Sequence, residues 1–221
     1  MGMTDKKGKV LIVTGGAADI EFVKNFVENE VYSMVIAADH GLILADLCHL
    51  ELDYIVGDFD SVPETLLGKY RDISTPIQTF PTEKDKTDTQ IALELALMHN
   101  PDQIDIVGAT GSRLDHVLAN IHLLLLPLQL EVPGYIIDQH NKIYLKKECF
   151  TIEKEKQYGN FVSLLPFTDK VSGLTLKGFK YPLNSITLAG GSSLGISNEI
   201  REEIACVEFT QGTLIVIESR D

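Results

Sequence analysis

Met34-Val35-Ile36-Ala37-Ala38-Asp39-His40-Gly41 decides how the rest of this chain is read. Five apolar residues in a row suit a strand buried on both faces, and the run stops at a carboxylate and a glycine. Tyr54-Ile55-Val56 repeats the pattern and runs into Gly57-Asp58-Phe59-Asp60-Ser61. Val10–Val13, ending at Gly15-Gly16, and Ile104–Val107 read as further strands of the same kind. Residues 18–30 and 41–49 have helical spacing. Two clearer helices follow. Asp88–His99 carries Ile91, Ala92, Leu95 and Met98 on one face, and Leu114–Leu126 carries Leu114, Val117, Leu118, Ile121 and Leu125. Asn100-Pro101 is expected to stop the first and Pro127 the second, because proline disfavours helix in the residue before it. Alternation of buried strand and helix implies an α/β fold, a mostly parallel sheet with flanking helices.

The pattern changes at Pro133-Gly134. Beyond it the chain shows no long helix. Tyr135–Asp138, Lys142–Lys146, Asn160–Leu165, Ser172–Lys177, Ser185–Leu188, Cys206–Thr210 and Thr213–Glu218 read as short strands, most of them separated by Gly, Asn, Asp or Pro. Strands this close together imply a small antiparallel β-sandwich. The expected organisation is an α/β domain over 1–133 and a β-sandwich domain over 134–221.

With 221 residues, 44% of them hydrophobic, the chain can bury a core, which excludes global disorder. No apolar run approaches the ~18 residues of a membrane span. A net charge of −13 argues against binding nucleic acid or an anionic membrane. That charge is unevenly placed. Residues 1–133 hold 21 acidic and 9 basic side chains, whereas residues 134–221 hold 11 and 10. Cys48, Cys149 and Cys206 are odd in number and scattered, without a Cys-x-x-Cys pair, so neither a disulfide framework nor a zinc knuckle is expected. The start, Met1-Gly2-Met3-Thr4-Asp5-Lys6, has no apolar signal core. A reducing cytoplasm is the expected compartment.

Ligands of open α/β sheets bind beyond the carboxyl ends of the strands, where Asp39, Asp58 and Asp60 fall. Asp58 and Asp60 can converge on one hard cation, with Phe59 anchoring the turn in the core. The same pair could instead cap a following helix. A second cluster, Glu83-Lys84-Asp85-Lys86-Thr87-Asp88-Thr89, lies between the expected strand Ile77–Phe80 and a helix N-terminus. Lys84 and Lys86 could meet phosphate there while Asp85 or Asp88 faces a metal. The alternative is a solvated loop with Thr87 or Asp85 as N-cap. The third cluster is Gly108-Ala109-Thr110-Gly111-Ser112-Arg113-Leu114-Asp115-His116. Its glycines admit close backbone approach and Arg113 can clamp phosphate oxygens, although a plain strand-to-helix turn would read alike. The role of His116 stays open. A fourth stretch, Gly190 to Glu199, holds Ser193, Ile196, Ser197 and Asn198, and its Ser and Asn could read ring nitrogens and amines or simply form a long hairpin connection. Taken together, apposed carboxylates flanked by Lys84, Lys86 and Arg113 suit Mg²⁺ with a nucleotide polyphosphate.

In this order the four motifs, with Lys180-Tyr181-Pro182-Leu183 ahead of the last, resemble those of the bacterial thiamine pyrophosphokinase (thiamine diphosphokinase) family. The resemblance runs from about residue 10 to the end. It implies a kinase-type transferase that moves a pyrophosphoryl group from ATP to the thiamine hydroxyl, giving thiamine diphosphate and AMP. It implies a catalytic α/β domain, a thiamine-binding β-sandwich, and a homodimer with active sites between subunits. By motif match Asp58, Asp60 and Asp88 would hold Mg²⁺, with Asp39 and Asp115 nearby. Lys86, Thr110 and Arg113 would meet the ATP phosphates, with Lys84 and His116 beside them. Ser193, Ile196, Ser197 and Asn198 would lie at the thiamine end, with Ser197 and Asn198 serving the other subunit's site. His40 stands where the family commonly has Arg or Gly, and Ser112 where Gly is frequent. The chain has no tryptophan, so no indole can stack on thiamine.

The expected mechanism is in-line attack of the thiamine hydroxyl on the β-phosphorus, with Lys86 and Arg113 stabilising developing charge and Asp60 or Asp88 accepting the proton. Two other functions use the same residues. A Mg²⁺-dependent nucleotide phosphohydrolase would transfer to water, and a nucleotide or thiamine sensor would bind without turnover.

Overall fold

The computed structural model describes residues 8–60, 62–72, 75–79 and 85–221, and Ser61, Phe80, Glu83 and Lys84 of the sequence motifs lie outside them. The chain divides into two compact units, 1–139 and 140–221.

In the first unit, β1 (Lys9–Val13) is central. It pairs in parallel with β2 (Tyr32–Ala38) on one side and β5 (Gln103–Val107) on the other. β3 (Tyr54–Gly57) and β4 (Ile77–Thr79) extend the first side, and β6 (Gly134–Ile137) the second, giving the parallel order β4-β3-β2-β1-β5-β6. Sandwiched strands must be apolar on both faces, and Leu11, Ile12, Ile36, Ile55, Ile104 and Ile106 are fully buried. Each such side chain contributes about 1.5–3 kcal/mol by leaving water. The connecting helices are α1 (Ile20–Glu28), α2 (Gly41–Leu47), α3 (Glu64–Asp72), α4 (Asp88–Met98), α5 (Leu114–Leu123) and α6 (Leu125–Gln129). Asp19 caps α1 by accepting from the Phe22 amide at 2.7 Å, and Thr87 caps α4 by accepting from Gln90 at 3.3 Å.

Four local readings change. Pro127 does not end a helix. The chain breaks at Leu124, and Pro127 sits in the first turn of α6, where its missing N–H leaves no gap in the helical bonding. The apolar stripe of α5 is packed only in part, because Ile121 is buried but Leu114 is 71% and Leu118 59% exposed, while the polar Asn120 is buried. On α4, Met98 is exposed and the buried residues are Ala92, Leu93 and Ala96. Tyr135–Asp138, expected among the antiparallel strands, is β6 (Gly134–Ile137), which pairs in parallel with β5 and so belongs to the first unit.

The second unit is antiparallel. β13 (Leu214–Ser219) pairs with both β7 (Asn141–Lys146) and β9 (Phe161–Pro166). A four-stranded sheet has the order β11 (Leu183–Ala189), β10 (Lys170–Lys177), β12 (Ile204–Glu208) and β8 (Phe150–Glu153). Burial alternates with period two, as at Leu174 and Leu176, Ala205 and Val207, and Leu214 and Val216. β8 has too short and mixed a pattern to be found from sequence.

Candidate active site

The strand order reverses between β1 and β5, and this switch point opens a crevice at the carboxyl ends of the strands. A cavity of about 360 Å³ occupies it. Its walls are the turns after β1 (Thr14 to Ala17), β2 (Ala38 to His40) and β5 (Gly108 to Arg113), together with the N-terminal turn of α4.

Glycines let these turns interlock. A Cβ on Gly16 would lie 2.3 Å from the carbonyl oxygens of both Gly108 and Thr110. Gly108 has φ +71°, and its Cβ would meet the Thr14 oxygen at 2.2 Å. The contacts are bonded as well as close. Thr14, Gly16 and Ala17 amides donate to the carbonyls of Val107, Gly108 and Thr110 at 2.9, 2.7 and 2.9 Å. Asn120 of α5 donates from Nδ2 to the Ala109 carbonyl at 2.8 Å.

Asp39, Asp58 and Asp60 each offer a carboxylate oxygen, and these oxygens lie within 4.8 Å of one another. Local backbone explains the gathering. Asp39 has φ +46°, and its amide donates to the Val56 carbonyl at 2.8 Å, which ties the end of β2 to β3. Gly57 packs on Asp39, since a Cβ there would lie 3.0 Å from the Asp39 Cα. Phe59 takes φ +62° and is 8% exposed in the hydrophobic cluster with Val62 and Leu67, as its expected anchoring role requires. The Asp60 amide donates to Asp58 Oδ1 at 3.3 Å. Three oxygen donors at this spacing, all hard ligands, fit a Mg²⁺-like ion. Asp88 is not one of the three. It lines the cavity with Asp39, which alone of the three also lines it.

His40, Thr110, Arg113 and His116 also line the cavity. Arg113 donates to both oxygens of Asp115, from Nη2 at 2.7 Å and from Nε at 3.3 Å. This pairing holds the Asp115 carboxyl at about 2 and raises the Arg113 guanidinium above its ordinary value. Lys86 is turned elsewhere, bonded to Glu94 at 2.7 Å, and that bond lowers the Glu94 pKa. Thr87 is the N-cap of α4, so that part of the second motif does structural work. Lys84 lies outside the described residues.

In the second unit, the Gly190–Glu199 stretch lies along β9. The Val162 amide donates to the Asn198 carbonyl and the Asn198 amide to Val162, at 2.8 and 3.0 Å, and Leu164 donates to Gly195 at 2.8 Å. Gly195 is required there, since a Cβ would lie 2.3 Å from the Leu164 oxygen. Asn198 is 6% exposed and its amide is committed. Nδ2 donates to the Tyr181 carbonyl at 2.8 Å, while Oδ1 accepts from the Tyr181 and Glu199 amides at 3.0 Å each. Ser193, Ile196 and Ser197 are exposed, as are Tyr181 and Leu194. The Ser197 amide donates to Ser163 Oγ at 3.0 Å, with Ser197 at φ +53°.

Thr14 to Ala17 and Asn120 are not among the site residues that the sequence indicates. Gly15-Gly16 after a strand was the available signal, but sequence alone does not reveal which turn faces it. Asn120 gave no signal beyond a polar residue within an apolar helix.

Comparison with known proteins gives two family-model matches. Residues 24–136 match the thiamin pyrophosphokinase catalytic domain, and residues 149–214 the thiamin pyrophosphokinase vitamin B1 binding domain. The chain is 39% identical over 166 residues to a thiamine pyrophosphokinase of Bacillus subtilis, covering 75% of this chain and 77% of that protein. A crystal structure of thiamine pyrophosphokinase from Bacillus subtilis superimposes with a TM-score of 0.86 at 32% identity, covering 96% of this chain and 99% of the other. One from Geobacillus thermodenitrificans gives 0.82 at 32% identity, covering 96% and 98%.

Proposed function

The chain belongs to the thiamine pyrophosphokinase family, and from that premise we propose how its residues carry the transfer of a pyrophosphoryl group from ATP to the thiamine hydroxyl. The observation that carries the assignment is Asp39, which is shared between the three-carboxylate cluster and the glycine-walled cavity. An ion held there would lie beside a phosphate chain in the cavity.

The first unit takes ATP and Mg²⁺. Asp58 and Asp60 would hold the ion together with Asp39, with Asp88 at the start of α4 as a further carboxylate for it. Magnesium bound there would neutralise phosphate charge and orient the chain of phosphates. The turn around Thr110 and the N-terminus of α4 receive phosphate oxygens, since free backbone N–H groups and a helix dipole favour anions. Arg113 gives part of its fork to phosphate, with Asp115 holding the guanidinium in place. Lys86 leaves Glu94 to meet the charge that develops as AMP departs, and Lys84 joins it. Asp60 or Asp88 accepts the hydroxyl proton of thiamine. His116 lines the phosphate end.

The second unit takes thiamine. Ser193, Ile196 and Ser197 present polar and apolar groups, while Asn198 fixes the strand that carries them. We place these at the active site of a partner subunit, in a homodimer with sites at the interface. The three free cysteines agree with a reducing cytoplasm, and no helix among the described residues is long and apolar enough to cross a membrane.

Incubation with Mg·ATP and thiamine, followed by mass identification of both products, tests the reading. AMP with thiamine diphosphate is expected. Inorganic phosphate or pyrophosphate in place of thiamine diphosphate would establish a phosphohydrolase instead. Light scattering at several protein concentrations tests the dimer.

A further inference from the structure

Four consecutive carbonyls of the turn after β5 are each held by a donor. Val107 is held by the Thr14 amide and hydroxyl, Gly108 by the Gly16 amide, and Thr110 by the Ala17 amide. Ala109 is held by a side chain, Asn120 Nδ2 at 2.8 Å. Asn120 is 7% exposed, on a helix that leaves Leu114 and Leu118 in solvent. A buried carboxamide costs stability unless it is bonded, so an apolar residue would suit this position better if packing were its whole task.

In a trans peptide the carbonyl and the next N–H point in opposite directions. Fixing the Ala109 carbonyl therefore fixes the Thr110 amide, and Thr110 and Asn120 line the same cavity. We propose that Asn120 is a positioning residue for pyrophosphoryl transfer. By clamping the Ala109 carbonyl it sets the Ala109–Thr110 peptide plane, so that Thr110 meets the nucleotide phosphates at the reacting distance. The assignment rests on the reading of this cavity as the ATP phosphate site. In this assignment Asn120 acts through Thr110.

The test uses the full chain with Mg·ATP and thiamine, comparing wild type with Asn120→Leu and Asn120→Asp. Both substitutions keep the side-chain size and remove the donor. Asn120→Leu is expected to lower kcat/KM for ATP by ~10-fold or more, since a displacement of about 1 Å can cost up to ~10²-fold, while KM for thiamine changes by less than about twofold. Asn120→Asp is expected to lose as much at alkaline pH and to recover as pH falls. Burial raises the introduced carboxyl's pKa, and once protonated it can donate to Ala109 again.

Asp39, His40, Asp88, Arg113 and His116 line the same cavity, so each rate is read as a ratio to wild type at that pH. Recovery of the ratio on acidification supports the assignment, and if Asn120→Leu does not fold this ratio alone decides. A ratio flat with pH, or a loss that follows the folded fraction with KM for ATP unchanged, overturns it and leaves Asn120 as packing. A wild-type protein that makes no thiamine diphosphate overturns the functional reading and this assignment with it.

Discussion

The turns of the parallel unit and the long connection of the antiparallel unit are held by different means. Around the cavity the bonds are mostly backbone to backbone, and glycines make room for them. Along β9 backbone bonds with Val162 and Leu164 are joined by a buried side-chain amide, Asn198, which ties in Tyr181 and Glu199. A turn fixed by main chain tolerates little change at its glycines but much at its exposed side chains. A connection that also depends on one buried side chain is weakened when that residue is lost. The contrast suits the tasks proposed for each: phosphate is met by backbone amides that every residue carries, whereas an organic ring needs particular side chains.

The comparison can be broken at the carboxylates first. Asp60→Ala should lower turnover by at least ~10²-fold, the usual scale for groups that balance charge in a transition state. Near-normal turnover of a folded Asp60→Ala protein would remove Asp60 from the ion site. Gly16→Ala comes next. Its Cβ must displace two carbonyl oxygens, so KM for ATP should rise about tenfold while thiamine is bound as before. An unchanged KM for ATP would show that the interlocked turns do not shape the phosphate site.

Asn198→Ala should act in the other unit. Removing the partner of two amides and a carbonyl costs about 1–3 kcal/mol of stability, seen as a lower melting temperature, and KM for thiamine should rise without a change for ATP. A matching rise for ATP would erase the division of labour. The smallest effect concerns pH. The Asp115 carboxyl lies at about 2, below its ordinary 3.8, so the stabilisation from this exposed pair is present above the ordinary value and lost as pH falls through about 2. Asp115→Asn should therefore leave the shape of the kcat/KM profile between about pH 5 and 9 unaltered, whatever it does to the level. A new inflection in that window would mean that Asp115 titrates in the working enzyme.

The strands of the parallel unit were legible because burial on both faces leaves unbroken apolar runs, as at Ile36 and Ile55. Asp39, Asp58 and Asp60 were legible because each ends or follows such a run. Other features were not. Helical periodicity shows which residues share a face, not which face is packed, and so Leu114 and Leu118 looked like core while Asn120 did not. Pro127 reads as a stop unless the break at Leu124 is known. Gly134–Ile137 looks the same whether its neighbour runs parallel or antiparallel. Motif match puts Asp39 only near the expected ion, but the pairing of β2 with β3 brings Asp39 to Asp58 and Asp60, a relation set by strand order that no local pattern encodes.

Phe59 has a consequence for how this enzyme can drift in sequence. Its ring is seated among Val62 and Leu67, and its own backbone joins two of the clustered aspartates. The interior therefore acts as a gauge block for the spacing of these carboxylates. A methyl group added or lost beneath Phe59 would be transmitted to the oxygens above it, so substitutions far from any substrate could retune which ion the proposed site prefers.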